Sequence, residues 1–233
     1  MDKYNLKKMK WGDPDEKMIQ RMKSHTSLID TSFEQIDILE PPANDSEITR
    51  SEIALVKKAL NALSDDERKF AILADENMIK LFKSTAVSNG LSFNEKYFND
   101  LLKQLSSLAL SLKFKYNRPR PHQIAKHLGI EFQDLDLPTS RTPSYPSGHA
   151  FQSSVIANIL SSIYPKFERV FKNLADRISL SRIQAGAHFP SDISSGIDAA
   201  NLIEPYVRIL YDSSEDRSEY DLRSITRDFL QHD

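Results

Sequence analysis

The chain contains no cysteine. That excludes disulfides, thiolate catalysis and zinc held by cysteine, and it is compatible with a reducing compartment. A long apolar run is missing too. The most apolar stretch, 153–164, is broken by serines and an asparagine, and it is shorter than the ~18–20 residues that span a bilayer. Neither sign of charge dominates: 31 Lys and Arg stand against 33 Asp and Glu, for a net charge of −2. This argues against binding nucleic acid over the whole surface, so any positive field must be local. The first ten residues carry lysines but no apolar segment behind them, and they do not read as a secretory signal. The expectation is a soluble, cytoplasmic protein without a membrane span. Alternating strand patterns, internal repeats and low-complexity tracts are also absent from the reading.

What is present is helical periodicity. The 233 residues, 39% hydrophobic and 27% charged, suit one ordinary globular domain with a substantial core. Residues 1–45 are polar and end in Glu40-Pro41-Pro42-Ala43-Asn44-Asp45, a boundary signal; they read as an arm that packs on the core. Ile53, Val56, Leu60 and Leu63 then recur at helical spacing, with Asp45 or Ser46 available as a cap. A second pattern runs from Asp65 to Leu81, and Ser92-Phe93-Asn94-Glu95 reads as a capping box before a long helix marked by Phe98, Leu101, Leu105 and Leu108. Pro119 and Pro121 stop that helix. Residues 131–147 read as a loop, 148–164 as a helix closed by Pro165, and 167–185 as another ended by Gly186. Ser191 is placed to cap a last core helix toward Leu210, kinked near Pro205. The expected division is an arm over 1–45, a helical domain over 46–211 and a charged C-terminal tail or helix over 212–233. The expected fold is an all-α single-domain bundle.

Three fragments carry chemistry. Lys113 and Arg120 straddle the end of a predicted helix, and Arg182 lies near the end of another. Guanidinium and ammonium groups stabilise charge on phosphoryl oxygens, although a basic helix end is by itself what the macrodipole favours. Pro146-Ser147-Gly148-His149 sits where a loop turns into an apolar helix. There backbone N–H groups and a hydroxyl can meet an anion, or Ser147 can simply cap. His188 and Asp192 are four apart, so in a helical turn they share a face. A carboxylate on one ring nitrogen fixes the tautomer and frees the other to attack.

Lys-x6-Arg-Pro, Pro-Ser-Gly-His and Ser-Arg-x5-His-x3-Asp occur in that order on a helical chain. They resemble the superfamily that joins type 2 phosphatidic acid phosphatases, class A non-specific acid phosphatases and vanadium-dependent haloperoxidases. The resemblance spans about residues 95–210 and fills every motif position. Register chooses between two Arg-Pro pairs: seven residues before Arg120 stands Lys113, whereas seven before Arg118 stands Ser111. Arg118 is therefore left as a neighbour.

The resemblance implies the following roles. Lys113, Arg120 and Arg182 neutralise the phosphate oxygens, while Ser147 and the Gly148 amide hydrogen-bond to them. His188 is the nucleophile, Asp192 orients it, and His149 protonates the leaving oxygen and then activates water. No metal or other cofactor is expected, vanadate entering as an inhibitor. The function expected is a soluble metal-independent phosphohydrolase acting on phosphate monoesters or diphosphates, with a small phosphorylated molecule as its partner and no nucleic acid. Two rivals are kept: a small haloperoxidase with vanadate as cofactor, and a non-catalytic phosphate-ligand binding protein. His25, His122, His127 and His232 have no partner pattern. Tyr116, Tyr145 and Phe189 flank motif residues, where an aromatic ring either stacks on a leaving group or packs in the core.

Overall fold

The computed structural model describes residues 6–23, 28–29, 35–213 and 216–221. Its body is all-α. In chain order the helices are α1 (Glu16–Met22), α2 (Glu47–Asn61), α3 (Asp65–Glu76), α4 (Met78–Ser88), α5 (Glu95–Tyr116), α6 (Pro121–His127), α7 (Gly148–Ile163), α8 (Glu168–Gln184) and α9 (Pro190–Ile203).

Helix α7 is the centre. It packs against α5, α8 and α9, and Phe151, Val155, Ile156, Ile159 and Leu160 are all buried along it. A helix that is apolar around most of its circumference has to be surrounded by others. The main core joins these residues to Leu101, Leu105 and Leu112 of α5, Phe171 and Ile178 of α8, and Ala199 and Ile203 of α9. A smaller cluster of Ala71, Leu137, Ala185 and Ala187 seats the 131–147 loop between α3 and the α8–α9 turn.

Local signals explain most boundaries. Ser46 caps α2 by accepting from the Thr49 amide, and Ser64 forms a reciprocal capping box with Glu67 on α3. Asn117, in the left-handed region at φ 52°, ends α5 before the prolines act. Asparagine tolerates that conformation better than most residues. Its side chain also holds the N-terminal segment, donating to the Gly12 carbonyl at 2.8 Å while its Oδ1 accepts from the Gly12 amide at 3.2 Å. Leu28, Ile29, Ile36 and Ile38 of the same segment are buried in the main core.

Several expectations need correction. The 65–81 pattern is two helices, because Asn77 leaves helical geometry and caps α4 by accepting from the Lys80 amide. Asn94, not a Ser92 capping box, starts α5, accepting from the Tyr97 amide at 3.0 Å. The last core helix ends at Ile203 instead of running toward Leu210. Pro205 lies in a 3-10 turn, Glu204–Tyr206, and lacks the donor a continuing α-helix needs. Ser191 does not cap α9; Asp192 does, accepting from the Phe189 amide at 2.9 Å. Beyond the turn the backbone forms two antiparallel strands, β1 (Arg208–Ser213) and β2 (Asp216–Asp221), where a tail or helix was expected over 212–221. Strand β2 reads Asp-Arg-Ser-Glu-Tyr-Asp, with no apolar alternation from which a strand could be read. Residues 222–233, with His232, and also His25, lie outside the described residues.

Candidate active site

The extended link between α5 and α6 carries Arg118, Pro119 and Arg120. Residues two apart in extended chain face one side, and both guanidinium groups reach the same histidine–aspartate pair. Arg120 Nη1 lies 3.0 Å from His188 Nε2, and Arg118 Nη1 lies 2.7 Å from Asp192 Oδ1. Between them His188 Nδ1 sits 3.2 Å from Asp192 Oδ2. An arginine can only donate, so Nε2 accepts from Arg120 and the ring proton resides on Nδ1, donated to Asp192. The network thus assigns the tautomer and leaves the lone pair on Nε2.

Asp192 is fully buried and has donors on both oxygens. Oδ2 accepts from the Phe189 amide and from the Ser144 hydroxyl as well as from His188. Burial raises the carboxyl's proton affinity, but Arg118, His188 and Ser144 outweigh it and hold the group well below the usual carboxylate range.

The other predicted residues converge from separate elements. Lys113, at the end of α5, donates to the Pro143 carbonyl at 2.7 Å and the Ser144 carbonyl at 3.3 Å. Arg120 also donates to the Thr142 carbonyl at 2.8 Å and the Ala187 carbonyl at 2.7 Å. Burial pushes Arg120 down to about 10, and it pushes Lys113 well below the usual ammonium range with help from Arg120. Arg182 meets Asp75 at 2.6 Å and the Ala71 carbonyl at 3.3 Å. Its Nε is buried with no hydrogen-bond partner, a donor in want of an acceptor.

Ser147 caps α7, its Oγ accepting from the Ala150 amide, and its own amide donates to the Asp192 carbonyl at 2.9 Å. Helix α9 comes so close here that a Cβ on Gly196 would lie 2.6 Å from the Ser147 carbonyl oxygen. Gly196 is therefore what lets the Ser147-Gly148-His149 turn rest against the helix bearing Asp192. A Cβ on Gly148 would lie 3.6 Å from Lys113 Cε, in the space beside the ammonium.

Lys113, Gly148, His149, Asp75, Thr139 and Thr142 border a cavity of about 570 Å3. Its outer walls come from α1 (Met18, Arg21), α5 (Leu102, Ser106), the α3–α4 junction (Met78) and the loop (Arg141). His188, Arg120 and Arg182 are at most 3% exposed and are not among the residues that line this cavity.

Asp75 is the site group that motif reading missed. It lies at the end of α3, pairs with Arg182, accepts from the Thr139 hydroxyl and stands 3.9 Å from His149 Nε2. No local pattern marks it, since its partners are 64 or more residues away. Arg118 was visible only as half of an Arg-Pro-Arg-Pro doublet, and Glu52 as a carboxylate on the buried stripe of α2. Tyr145 and Phe189 are buried core residues. Tyr145 packs edge-on against Tyr116 at 5.1 Å, and Phe189 lies under Arg118 at 4.0 Å. Burial pushes the Tyr145 hydroxyl up to about 12. His122 is partly exposed and pairs with Asp134 at 2.8 Å, and His127 faces its own helix, 3.2 Å from the Gln123 carbonyl.

Both site histidines are held well below the usual imidazole value of 6.5, mainly by burial. Arg120 adds to this at His188 against the opposing pull of Asp192, and Arg182 adds to it at His149. The unfolded chain therefore binds more protons than the folded one just below pH 6.5, and stability rises with pH in that window. We expect the ligand-free protein to be fully stable above about pH 7. Below about 6.5 its folding constant should fall by up to about tenfold per pH unit for each histidine. Urea midpoints at pH 7.5 and 5.5 check this; equal midpoints would contradict it.

Fold and site together define a helical protein with buried cations around a histidine–aspartate pair. Residues 99–212 match the PAP2 superfamily. The chain is 27% identical over 134 residues to a non-specific acid phosphatase of Salmonella typhi, covering 54% of this chain and 52% of the relative. It is 26% identical over 129 residues to a non-specific acid phosphatase of Salmonella typhimurium, covering 52% and 50%. It thus spans about half the length of the curated relatives it matches. In fold it resembles the crystal structure of a bacterial vanadium-dependent iodoperoxidase, with a TM-score of 0.60 at 20% identity, covering 78% of this chain and 55% of that one. Among the described residues no helix is long and apolar enough to cross a membrane.

Proposed function

We propose that the chain is a soluble, metal-independent phosphohydrolase that cleaves phosphate monoesters through a phosphohistidine on His188. The observation that carries the reading is the His188 ring. Its Nδ1 proton is held by Asp192, and its Nε2 lone pair lies among the site cations, 3.0 Å from Arg120. The acid phosphatase relatives and the superfamily match support the same reaction class.

In the steps this supports, the phosphoryl oxygens become acceptors for Lys113, Arg120 and Arg182, including the unpartnered Arg182 Nε. The Ser147 hydroxyl and the Gly148 amide add donors at the N-terminus of α7. The Nε2 lone pair attacks phosphorus, the bond from phosphorus to the ester oxygen breaks, and its electron pair leaves with that oxygen. His149 supplies the proton that makes it an alcohol. The phosphorylated ring is cationic and is stabilised by Asp192. Water then attacks phosphorus and gives a proton to His149, while the P–N pair returns to Nε2 and phosphate is released.

His149 is neutral in the ligand-free pocket because burial and Arg182 disfavour its charge. A phosphate dianion offsets the neighbouring cations and restores the ring's proton affinity, which couples protonation of the acid to arrival of the substrate. His149→Ala should therefore slow alkyl phosphates by about 10²–10⁴-fold and aryl phosphates, which have good leaving groups, much less. Plotting log kcat/KM against leaving-group pKa tests this, and parallel lines for the two proteins would remove His149 from the role.

Hydrolysis of a chromogenic aryl phosphate is the primary test. A vanadate ion has the same tetrahedral oxygens and fits the same donor set of Lys113, Arg120, Arg182, Ser147 and Gly148, so it is expected to compete with substrate. Halide oxidation by peroxide after vanadate loading, without ester hydrolysis, would overturn the proposal. Binding of phosphate esters without turnover would overturn it as well.

A further inference from the structure

A second set of buried charged groups adjoins Asp192 without lining the cavity, and the hydrolysis above assigns it no work. Arg118, 2% exposed, spans it. Its Nη1 donates to Asp192 Oδ1 at 2.7 Å and to Ser191 Oγ at 2.8 Å. Its Nη2 donates to Thr49 Oγ1 at 3.2 Å and to Glu52 Oε2 at 3.4 Å. The guanidinium lies 4.0 Å over the Phe189 ring, which fixes its plane. Glu52, 7% exposed, grips the first turn of α9 in turn, accepting from the Ser191 amide and hydroxyl at 2.7 Å each.

The result is a buried line of alternating charge: Arg120, the His188 ring, Asp192, Arg118, Glu52. Asp192 Oδ2 already serves Phe189, Ser144 and His188, so Arg118 is the group that engages Oδ1. A carboxylate gripped on one side only could rotate out of the imidazole plane. Its full charge would also act on the ring, where burial leaves little water to screen it.

We propose that Arg118, tethered by Glu52, is a positioning residue that holds Asp192 against His188 and offsets its charge, so that the ring stays neutral with its lone pair on Nε2. The kinetic consequence rests on the reading of His188 as nucleophile; the effect on the ring itself does not. The other titratable groups facing His188 are Arg120, Lys113 from α5 and His149 from α7. Arg120 and Lys113 disfavour its protonation, and Asp192 favours it. Arg118 therefore works by limiting the pull of Asp192 on the ring.

The test is a nitrogen-15 NMR titration of the histidine rings, with His188 assigned from the His188→Gln spectrum, in wild type and three variants. Arg118→Leu should raise the His188 pKa by about one unit or more. It should also move the acid limb of kcat/KM upward, lowering kcat about tenfold below the new limb with KM little changed. Arg118→Lys keeps the charge and loses the fork, so its rise should be smaller and its pH profile partly restored. Glu52→Gln leaves Arg118 less neutralised and should lower the pKa or leave the ring neutral throughout.

An unchanged His188 titration in folded Arg118→Leu would overturn the proposal, as would a rise in Glu52→Gln matching that in Arg118→Leu. If Arg118→Leu does not fold, no rise in Arg118→Lys is the overturning result. A wild-type protein that hydrolyses no phosphate ester, yet shows these shifts, would sink the phosphohydrolase reading and leave this inference standing.

Discussion

Replacing His188 by alanine is expected to lower kcat by about 10⁵–10⁶-fold, the scale seen when the nucleophile of a covalent catalyst is deleted. The ring Nδ1 is fixed by Asp192 at 3.2 Å, and its Nε2 accepts from Arg120 at 3.0 Å, so Nε2 attacks once Arg120 has turned to the phosphoryl oxygens. Acid quenching during turnover should trap phosphate on wild-type protein, with label on His188 in the peptide map, and none on the variant. The overall fold should survive, because removing a neutral ring leaves Asp192 still engaged by Arg118, Ser144 and the Phe189 amide. A variant that hydrolyses substrate at the wild-type rate would refute the assignment.

Arg182→Ala is expected to remove about 3–4 kcal/mol of transition-state stabilisation, or 10²–10³-fold in kcat, by analogy with the loss of one oxyanion-hole donor. The side chain is fully buried, and its Nε has no partner in the protein. This single change also takes from Asp75 its guanidinium partner at 2.6 Å and leaves it the Thr139 donors, and removing one partner of a buried ion pair is destabilising. The double variant Arg182→Ala with Asp75→Ala separates the two effects. It removes the charge pair together, so stability should recover towards wild type while the loss of kcat persists. Asp75→Asn, which keeps Arg182 but loosens its orientation, should lose much less activity than Arg182→Ala. If Arg182→Ala leaves kcat unchanged in a folded protein, Arg182 does not touch the phosphoryl group.

Legibility in the sequence followed the range of the interactions involved. The α7 start at Ser147-Gly148 and the α8 stop before Gly186 could be read because caps and left-handed glycines act over three or four residues. The choice of Arg120 over Arg118 rested on the register of the superfamily's motif, and the structure sets Arg120, not Arg118, at His188 Nε2. By contrast, the 65–81 apolar pattern passes straight through Asn77 without a break in period, so the break between the two helices there was hidden. The 208–221 strands were hidden for a different reason. Strand β2 has no apolar face, so its pairing is a matter of backbone hydrogen bonds that side-chain pattern does not encode.

The sequence by itself determined the helical class, the three motif fragments and the identity of the eight residues expected in one pocket. Caps, periodicity and motif spacing are properties of residues near one another along the chain. Only the tertiary structure decided how the buried charges are partnered. Asp75 meets Arg182 across 107 residues, Arg118 meets Asp192 across 74, and Glu52 meets Ser191 across 139. Away from water a charge must find a counter-charge or a donor wherever the packing of helices brings one. The partners are therefore set by which helix faces meet in the core.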